Sequence, residues 1–550
     1  MTTIYEARAI LTMNPSQERA THVVVRDGRI LAVGQKEAIA GWERDFGPLN
    51  FNDEFCDKIM LPGFVEGHSH MMEGLNWNFV YTGYYDREDP NGKIWKGLKS
   101  IEEVIARLKE ENIKREDMSE PLVAWGFDPI FFGDRKLNRQ DLDDVATDCA
   151  VLLFHASLHI INTNSFVIDE VGIEANNNSD FIRRDAQGHP TGEFLGQVGM
   201  FVAMRATGIN IFASYNDDSV LHNFAQICQR AGVTTATDLA NNLADENVTA
   251  LRKMTDREDY PVRIVAALSG NGLEAEEGIK RLDEIKDQQT DKLRMNIVKL
   301  VADGSIQGFS ARLRWPYYHN GAPNGLWYID VDKLNTLIHD YNAAGVHIHI
   351  HTNGDGAIDG ALDAFEAAFN KHYRPNHRHT LQHCQMADRA HFKRMRELGL
   401  GVNLFSNHIY FWGDAHIEAT MGRDRANRLD DAGEALRAGV PLAIHSDAPV
   451  TMMNPLFTAW CAVNRLTSSG NHLGGERECI SVEQALETIT LGAAYSLKMD
   501  HEIGSIEVGK RADFAILDRD PIFEGAEKLR DIRIHATVLG GKVFVNEVND

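Results

Sequence analysis

The sequence is poor in cysteine and in long apolar runs, and each shortage excludes a class of protein. Its six cysteines, in 550 residues, are irregularly spaced and form no C-x-x-C pair. This spacing argues against a disulfide scaffold or zinc ribbon and favours reduced thiols. No window approaches roughly eighteen uncharged apolar residues, so no transmembrane helix is expected. The start, MTTIYEARAILTMNPSQERA, lacks the basic and apolar regions of a secretory signal, and we expect a cytoplasmic protein.

Positively charged residues are also few. Lys and Arg number 56 against 80 Asp and Glu, which gives a net charge of -24. A phosphate backbone would be repelled over most of such a surface, so no nucleic-acid partner is expected. With 43% hydrophobic and 25% charged residues, the composition is that of a folded globular protein. The 23 histidines are its most informative feature.

The middle of the chain alternates short apolar runs with polar or amphipathic stretches. Two of the latter, Lys333–Ala344 and Ala357–Lys371, have a helical period. Eight such βα units predict an α/β fold, a (β/α)8 TIM-like barrel. The predicted strands are Ile59–Val65, Val233–Leu239, Val262–Leu268, Met295–Val301, Val346–Ile350, His379–His383, Gly401–Phe405 and Pro441–Ile444.

Two further regions surround or interrupt this barrel. Both ends of the chain contain short strand patterns, which predicts that the termini meet in one split β-sandwich domain. The stretch between Val65 and Val233 is too long for one connection, so it must hold an inserted α/β subdomain. The predicted bounds are 1–58 with 495–550 for the β domain, 59–79 with 226–494 for the barrel, and 80–225 for the insertion.

Histidines and acids recur at the carboxyl ends of the predicted barrel strands, where barrel enzymes place their chemistry. His68 and His70 lie two apart after the first strand and face the same side, which makes half a zinc site. Lys299 ends the fourth strand, where an ammonium would face the metal pocket. A cation there makes little chemical sense unless the lysine is carboxylated, which turns it into a bridging carboxylate. The fifth, sixth and eighth strands are followed by further candidate ligands, His351, His383 and Asp447.

These residues lie in motifs that resemble the amidohydrolase superfamily, in particular amidohydrolase family 3, the YtcJ-like branch that includes N-substituted formamide deformylases. The resemblance covers nearly the whole chain. The ADGS and H-x-x-G-D motifs are fairly specific to this branch, whereas H-x-H is found throughout the superfamily. The motifs are LPGFVEGHSHM (61–71), GHPTGEFLG (188–196), GVTTATD (232–238), VKLVADGSIQGFSARLRWPYY (298–318), HTNGDGAID (351–359), LQHCQ (381–385), HSDAPV (445–450) and IGSIEVGKRADFAILDRDP (503–521).

The resemblance implies roles for the candidate ligands. His68 and His70 would bind the more buried metal ion, and carboxylated Lys299 would bridge to a second ion. The second ion would be held by the histidines after strands five and six, and Asp447 would be both a ligand and the general base. Zinc is the expected metal, with one or two ions left open. Glu66 replaces an aspartate that is frequent in the family, at a position that binds no metal.

Other residues are candidates for contact with the substrate. His408, after strand seven, would reach the substrate or stabilise an oxyanion, or would only cap a loop. Trp412 would form an apolar wall beside it. Trp315 and Gln307 follow strand four, where Gln307 would touch the substrate or order the loop. In the insertion, His159 resembles a histidine that the family brings over the site.

Several polar residues near these motifs are interpreted as structural. His347 and His349 lie earlier on strand five, which is typical of core positions. Asp303 would order the loop after strand four or touch the substrate, and the structural role is the favoured one. Asp355 would bond to a neighbouring loop or cap the following helix.

Three functions are compatible with these patterns. The first is a metal-dependent amidohydrolase (EC 3.5) that hydrolyses an amide or N-formyl C–N bond of a small molecule. The second is a zinc-dependent deaminase of a purine- or pyrimidine-like ring. Such deaminases usually carry a glutamate soon after the strand-five histidine, which His351-Thr352-Asn353-Gly354-Asp355 lacks. The third, a non-catalytic scaffold, is disfavoured by the full ligand set. We expect a homodimer with no membrane partner.

Overall fold

The computed structural model of the chain describes residues 2–133, 135–158, 160–173, 181–209 and 217–546. The chain divides into two compact units. The larger comprises Met1–His70, Ala225–Ala448 and Met453–Asp550, and the smaller comprises Met71–Phe224 and Pro449–Met452. Within the described ranges, no helix has the length and apolar character needed to cross a membrane.

An eight-stranded sheet forms the centre of the larger unit. Its strands follow one another in chain order, and each neighbouring pair is parallel. The predicted α/β fold with eight parallel strands is therefore confirmed. The strands are β1 (Phe64–Glu66), β2 (Val233–Asn241), β3 (Arg263–Ser269), β4 (Leu293–Val301), β5 (His347–Thr352), β6 (Thr380–His383), β7 (Gly401–Leu404) and β8 (Leu442–Ile444).

Helices follow most of these strands, and side-chain caps fix where several of them begin. Asp388, for example, accepts hydrogen bonds from the N–H groups of Ala390 and His391 at the helix after β6. The helices are Asp245–Thr255, Ala275–Ile285, Val331–Ala343, Asp355–Lys371, Arg389–Leu398, Asn407–Ala415, Arg423–Ala426, Ala432–Ala438, Pro455–Asn464, Val482–Thr488 and Leu491–Ser496.

The first predicted strand, Ile59–Val65, is wrong as a single element because the run passes from one sheet to another. Residues up to Pro62 belong to the long strand Leu49–Pro62 of a different sheet, and β1 begins at Phe64. Gly63 lies between them. A Cβ at this position would lie 2.0 Å from Thr234 Oγ1, so only glycine allows the chain to change sheets here.

The first and last strands of the parallel sheet meet at their carboxyl ends. The Glu66 carboxylate accepts hydrogen bonds from Ser446 N at 3.1 Å and from Ser446 Oγ at 3.0 Å. His70 N donates to Ala448 O at 2.8 Å. Closure of the sheet into a complete barrel stays a prediction.

Strands from both ends of the chain form one seven-stranded sheet. Its apolar core includes Tyr5, Ile10, Phe55 and Phe514. The predicted joining of the two termini is thus seen as a single sheet, and the two-sheet sandwich stays a prediction. In order across the sheet, the strands are Lys542–Val545, Ile534–Leu539, Phe514–Leu517, Leu49–Pro62, Thr2–Leu11, Arg19–Arg26 and Arg29–Gly34.

The smaller unit contains a six-stranded mixed sheet. Ser100 caps its helix Ile101–Ile113, and Val151–His155 is one of its central strands. Further helices of this unit are Met72–Asn76, Arg139–Asp143, Ser165–Val171 and Gly196–Ala206. The sheet order is Ile182–Arg184, Pro190–Leu195, Ile160–Thr163, Val151–His155, Leu122–Phe127 and Val80–Tyr81.

Candidate metal centre

The predicted ligands lie at the carboxyl end of the parallel sheet. Strand ends bring them there, and two of them need an unusual backbone. His383 has φ 67° and Asp447 has φ 53°, both in the left-handed region. Such conformations cost about 1–3 kcal/mol each and occur preferentially at functional sites. The backbone here is held in a conformation that positions side chains rather than one that minimises local energy.

Three side chains of the centre, His68, His70 and Asp447, lie close together. Asp447 Oδ1 lies 3.4 Å from His68 Nε2 and 3.2 Å from His70 Nε2. One ligand atom from each of the three lies within 4.8 Å of the other two. His68 is 1% exposed at its side chain and His70 17%, so His70 is on the more open side.

Lys299, His383 and His351 lie next to this group or next to one another. Lys299 Nζ lies 3.1 Å from His68 Nε2. His383 Nδ1 lies 3.9 Å from Asp447 Oδ2, and its ring centroid is 4.4 Å from that of His351. His351 Nε2 lies 3.2 Å from Gly304 O and 3.2 Å from Asn353 Nδ2.

Several buried polar atoms at the centre have no hydrogen-bond partner among the described residues. They include both ring nitrogens of His383, Nδ1 of His70 and Oδ1 of Asp447. A buried polar atom without a partner costs free energy, about 1–3 kcal/mol. Imidazole nitrogens and a carboxylate oxygen are the atoms that bind zinc in proteins. These residues therefore fit a divalent metal ion.

Burial sets the protonation of the ligands. Desolvation is the largest effect on His68 and His383, and together with neighbouring cationic groups it holds the pKa of each ring well below its usual range. The rings therefore stay neutral, as metal ligands must be. Desolvation also lowers the pKa of Lys299 to about 7, although Asp447 opposes the shift.

His445 belongs to the centre, and the sequence interpretation did not assign it a role. It is fully buried, and both its ring nitrogens lack a hydrogen-bond partner among the described residues. One ligand atom each from His445, His68 and His383 lies within 4.8 Å of the other two. The signal was present in the motif HSD, where His445 and Asp447 have the same i, i+2 spacing as His68 and His70.

His408 and Trp412 lie close together on the helix Asn407–Ala415. Both are buried, and their ring centroids are 5.6 Å apart. His408 Nδ1 lies 3.3 Å from Asp430 Oδ2, but the geometry is not that of a hydrogen bond. Desolvation lowers the pKa of His408 to about 3, so the ring is neutral. Phe405 lies between this pair and the ligands, with ring centroids 4.1 Å from His408 and 6.0 Å from His383.

The other predicted substrate contacts have different surroundings. Gln307 is buried, and its Oε1 has no hydrogen-bond partner among the described residues. Trp315 is 80% exposed, and nothing in the structure assigns it to the metal centre. His159 lies outside the described residues.

Asp303 orders the loop after β4, as its structural interpretation predicted. Its carboxylate accepts hydrogen bonds from the backbone N–H groups of Arg312, Asn353 and Gly354, each at 2.9 Å. Burial raises its pKa to about 7 against the effect of these bonds. Asp355 similarly accepts a hydrogen bond from Arg314 N at 2.7 Å. The loop after β4 is therefore fixed to the start of the helix after β5.

Comparison with known proteins places this arrangement in a family. The chain is 25% identical to YtcJ of Bacillus subtilis (strain 168), covering 99% of each chain. It is 25% identical to the N-substituted formamide deformylase of Arthrobacter pascens, covering 97% of this chain and 96% of that protein. An uncharacterized metal-dependent hydrolase from Pyrococcus horikoshii OT3 shares the fold, with a TM-score of 0.72 at 21% identity over 95% of this chain and 98% of that one. The amidohydrolase family model matches residues 57–545, and the chain therefore belongs to the amidohydrolase family.

Proposed function

We propose that the protein is a metal-dependent hydrolase that cleaves a non-peptide carbon–nitrogen bond, an amide or N-formyl bond, of a small molecule. The observation that carries the proposal is the buried group of His68, His70 and Asp447 at the carboxyl end of the sheet, beside Lys299. Membership of the amidohydrolase family and similarity to an N-substituted formamide deformylase support the class of bond.

Zinc is the metal that this donor set fits best, because most of its donors are imidazole nitrogens. His68, His70 and Asp447 would hold one ion, and His351, His383 and His445 offer further nitrogens for a second. We propose that Lys299 is carboxylated. Its amine is buried against His68. Addition of CO2 to the neutral amine, with loss of a proton, would turn this group into a bridging carbamate anion. When bound, zinc lowers the pKa of a water molecule and polarises a carbonyl group.

Asp447 is the proposed general base. Its Oδ1 faces His68 and His70, which leaves Oδ2 to accept a proton from the attacking water. The same oxygen then carries the proton to the nitrogen of the departing amine. The left-handed backbone at Asp447 holds the carboxylate in place through both transfers.

His408 and Gln307 are the proposed polar contacts to the substrate. A neutral, buried His408 is suited to donating a hydrogen bond to a developing oxyanion. Trp412 packs behind His408 and restricts its ring. The unpartnered Oε1 of Gln307 is suited to accepting a hydrogen bond from a substrate N–H.

The remaining expectations stay proposals for this chain. They are closure of the parallel sheet into a barrel, a homodimer, a cytoplasmic location, and the domain bounds given above. The contact of Glu66 with Ser446 supports closure, because it joins the ends of β1 and β8.

The test combines metal analysis with a substrate panel. Purified protein is analysed for bound zinc and assayed on N-formyl amines, N-acyl amines, cyclic amides and aminopurines, with released amine and ammonia measured separately. We expect stoichiometric metal and release of an amine from a formamide or amide. Ammonia release from aminopurines alone would establish the deaminase alternative, and protein that neither retains nor binds metal would overturn both.

A further inference from the structure

A series of buried hydrogen bonds connects the backbone carbonyl of Ser496 to the proposed metal ligand His68. Ser496 O lies 3.0 Å from His349 Nε2. His349 Nδ1 lies 2.9 Å from Gln382 Nε2, and Gln382 Oε1 lies 2.7 Å from His68 Nδ1. His68, His349 and Gln382 are almost completely buried, so no water competes for these bonds.

The donor and the acceptor of each of these hydrogen bonds can be assigned, starting from the Ser496 carbonyl. A backbone carbonyl only accepts, so His349 must carry its hydrogen on Nε2. Its Nδ1 then accepts a hydrogen bond from the amide N–H of Gln382. The amide oxygen of Gln382 consequently faces His68, whose Nδ1 must donate. The remaining nitrogen, His68 Nε2, is left with a lone pair facing Lys299 and Asp447.

Asn403 supports this orientation of the Gln382 amide. Its Nδ2 donates to Gln382 Oε1 at 3.0 Å, so the oxygen has two donors and the amide nitrogen has one acceptor. A reversed Gln382 amide would place the N–H of Asn403 against another N–H unless Asn403 reversed as well. It would also leave the Ser496 carbonyl opposite a ring nitrogen without a hydrogen.

We propose that Gln382 and His349 are positioning residues. They hold His68 in the tautomer whose Nε2 is unprotonated and directed at the metal. This assignment rests on the proposed function, because it presumes that His68 is a ligand. It also gives a role to His349, which its place on the strand predicts to be a core residue. Residues that hydrogen-bond the second nitrogen of a metal-binding histidine typically change metal affinity or activity by about 10- to 100-fold.

The test measures zinc affinity without substrate, by competition with a chelating dye, together with the absorption bands of cobalt-substituted protein. Gln382→Leu removes both links and is expected to weaken zinc binding about 10- to 100-fold and to shift the cobalt bands. Gln382→Glu keeps an acceptor for His68 Nδ1 and is expected to bind zinc more tightly than Gln382→Leu. If Gln382→Leu does not fold, Gln382→Met, a side chain of similar length, serves the same comparison.

Two further variants separate positioning from packing. Thr380→Val is the control, since Thr380 is buried two residues earlier on β6 and its hydroxyl donates a hydrogen bond to Arg378 O at 3.1 Å, away from His68. It is expected to leave zinc binding unchanged. His349→Leu removes the second link, and its effect is expected to be absent in the Gln382→Leu background, because the series of hydrogen bonds is already broken there.

The outcomes distinguish this assignment from the proposed function. Wild-type affinity in Gln382→Leu, or equal losses in Gln382→Leu, Gln382→Glu and Thr380→Val, would overturn the positioning role while leaving the metal centre intact. A wild-type protein that binds no divalent metal would instead overturn the proposed function, and this assignment with it.

Discussion

At the scale of single residues, the centre depends on burial that keeps the imidazole rings of His68 and His383 neutral. Burial penalises the protonated form of His68 and His383 and keeps a lone pair available on each ring. The same burial leaves several ring nitrogens without partners among the described residues. Polar atoms in this condition indicate that a group other than the protein completes the site, and a divalent metal ion fits those that face the centre.

Replacement of the proposed general base tests its role directly. Asp447→Asn keeps the shape and one oxygen of the side chain, so we expect much of the metal to remain. Turnover should fall about 10²- to 10⁴-fold, since the amide cannot accept a proton. Metal content and kcat are measured on the same preparation. Asp424→Asn, at an exposed aspartate, is the matched control. An unchanged rate in Asp447→Asn would remove it as the base.

Lys299 supports a second prediction at this scale. Lys299→Ala is expected to lose metal and activity, with partial recovery of both on addition of a short-chain carboxylate such as propionate. The added anion would occupy the space of the missing carbamate. Lys280→Ala, at an exposed helix position, controls for general effects of the carboxylate. A Lys299→Ala protein with full metal and full rate would contradict the bridging role.

Single residues also show which parts of the site could be predicted from the sequence and which could not. The six predicted ligands could be selected because strand ends in a parallel sheet meet at one edge. His445 could have been selected by the same i, i+2 argument, but Gln382 could not. Gln382 is a neutral amide on a buried strand. No sequence pattern distinguishes such a residue that only packs in the core from one that hydrogen-bonds to a histidine distant in the chain.

At the scale of elements, one arginine fixes the loop after β4 to two helices. Arg314 forms a two-point ion pair with Asp359 on the helix Asp355–Lys371. It also bonds to Asp388 at 2.9 Å and to His391 Nε2 at 2.8 Å, at the start of the helix Arg389–Leu398. This loop carries Gln307, so its anchoring bears on the proposed substrate contacts.

The cluster predicts a pH dependence of stability. Burial alone would lower the pKa of His391, but its bonds to Asp359 and Asp388 outweigh burial and raise it. A raised histidine pKa contributes stability that is fully present below about 6.5 and is lost as the pH rises through the higher folded value. The difference in Tm between wild type and His391→Gln should therefore be largest near pH 5 and shrink above neutrality. A difference that grows with pH would contradict this sign.

The element boundaries show why the fold could be predicted only in part. Apolar runs located seven of the eight parallel strands as single elements, because a buried strand needs continuous apolar residues. The first run, Ile59–Val65, contains no sequence signal that the chain crosses between sheets at Gly63. That crossing depends on the close approach of Thr234, a residue far away in the sequence.

At the scale of the whole molecule, a buried ion pair joins the parallel sheet to the sheet formed by the chain ends. Arg263, at the start of β3, bonds to Asp513 Oδ2 at 2.7 Å, next to the strand Phe514–Leu517. The two side chains are 2% and 3% exposed. Charges this deeply buried depend on each other, because neither can be solvated by water.

Removal of one partner should destabilise the protein strongly. Asp513→Ala leaves the Arg263 charge buried and unpaired, and we expect a loss of about 3–5 kcal/mol in the free energy of unfolding. Urea unfolding followed by tryptophan fluorescence measures the loss. Asp259→Ala, in an exposed pair with Arg257, is expected to cause no measurable change. Equal midpoints for Asp513→Ala and wild type would show that the pair contributes nothing.

The seven-stranded sheet has a consequence for how the protein is made. The strand Leu49–Pro62 pairs on one side with Thr2–Leu11 and on the other with Phe514–Leu517. Several hundred residues must be synthesised between the two pairings, which takes tens of seconds at about 5–20 residues per second. Throughout that interval the growing chain carries an open strand edge, the kind of surface to which other chains bind. The ribosome-bound form, rather than the finished protein, is therefore where we expect aggregation and the need for a chaperone to be greatest.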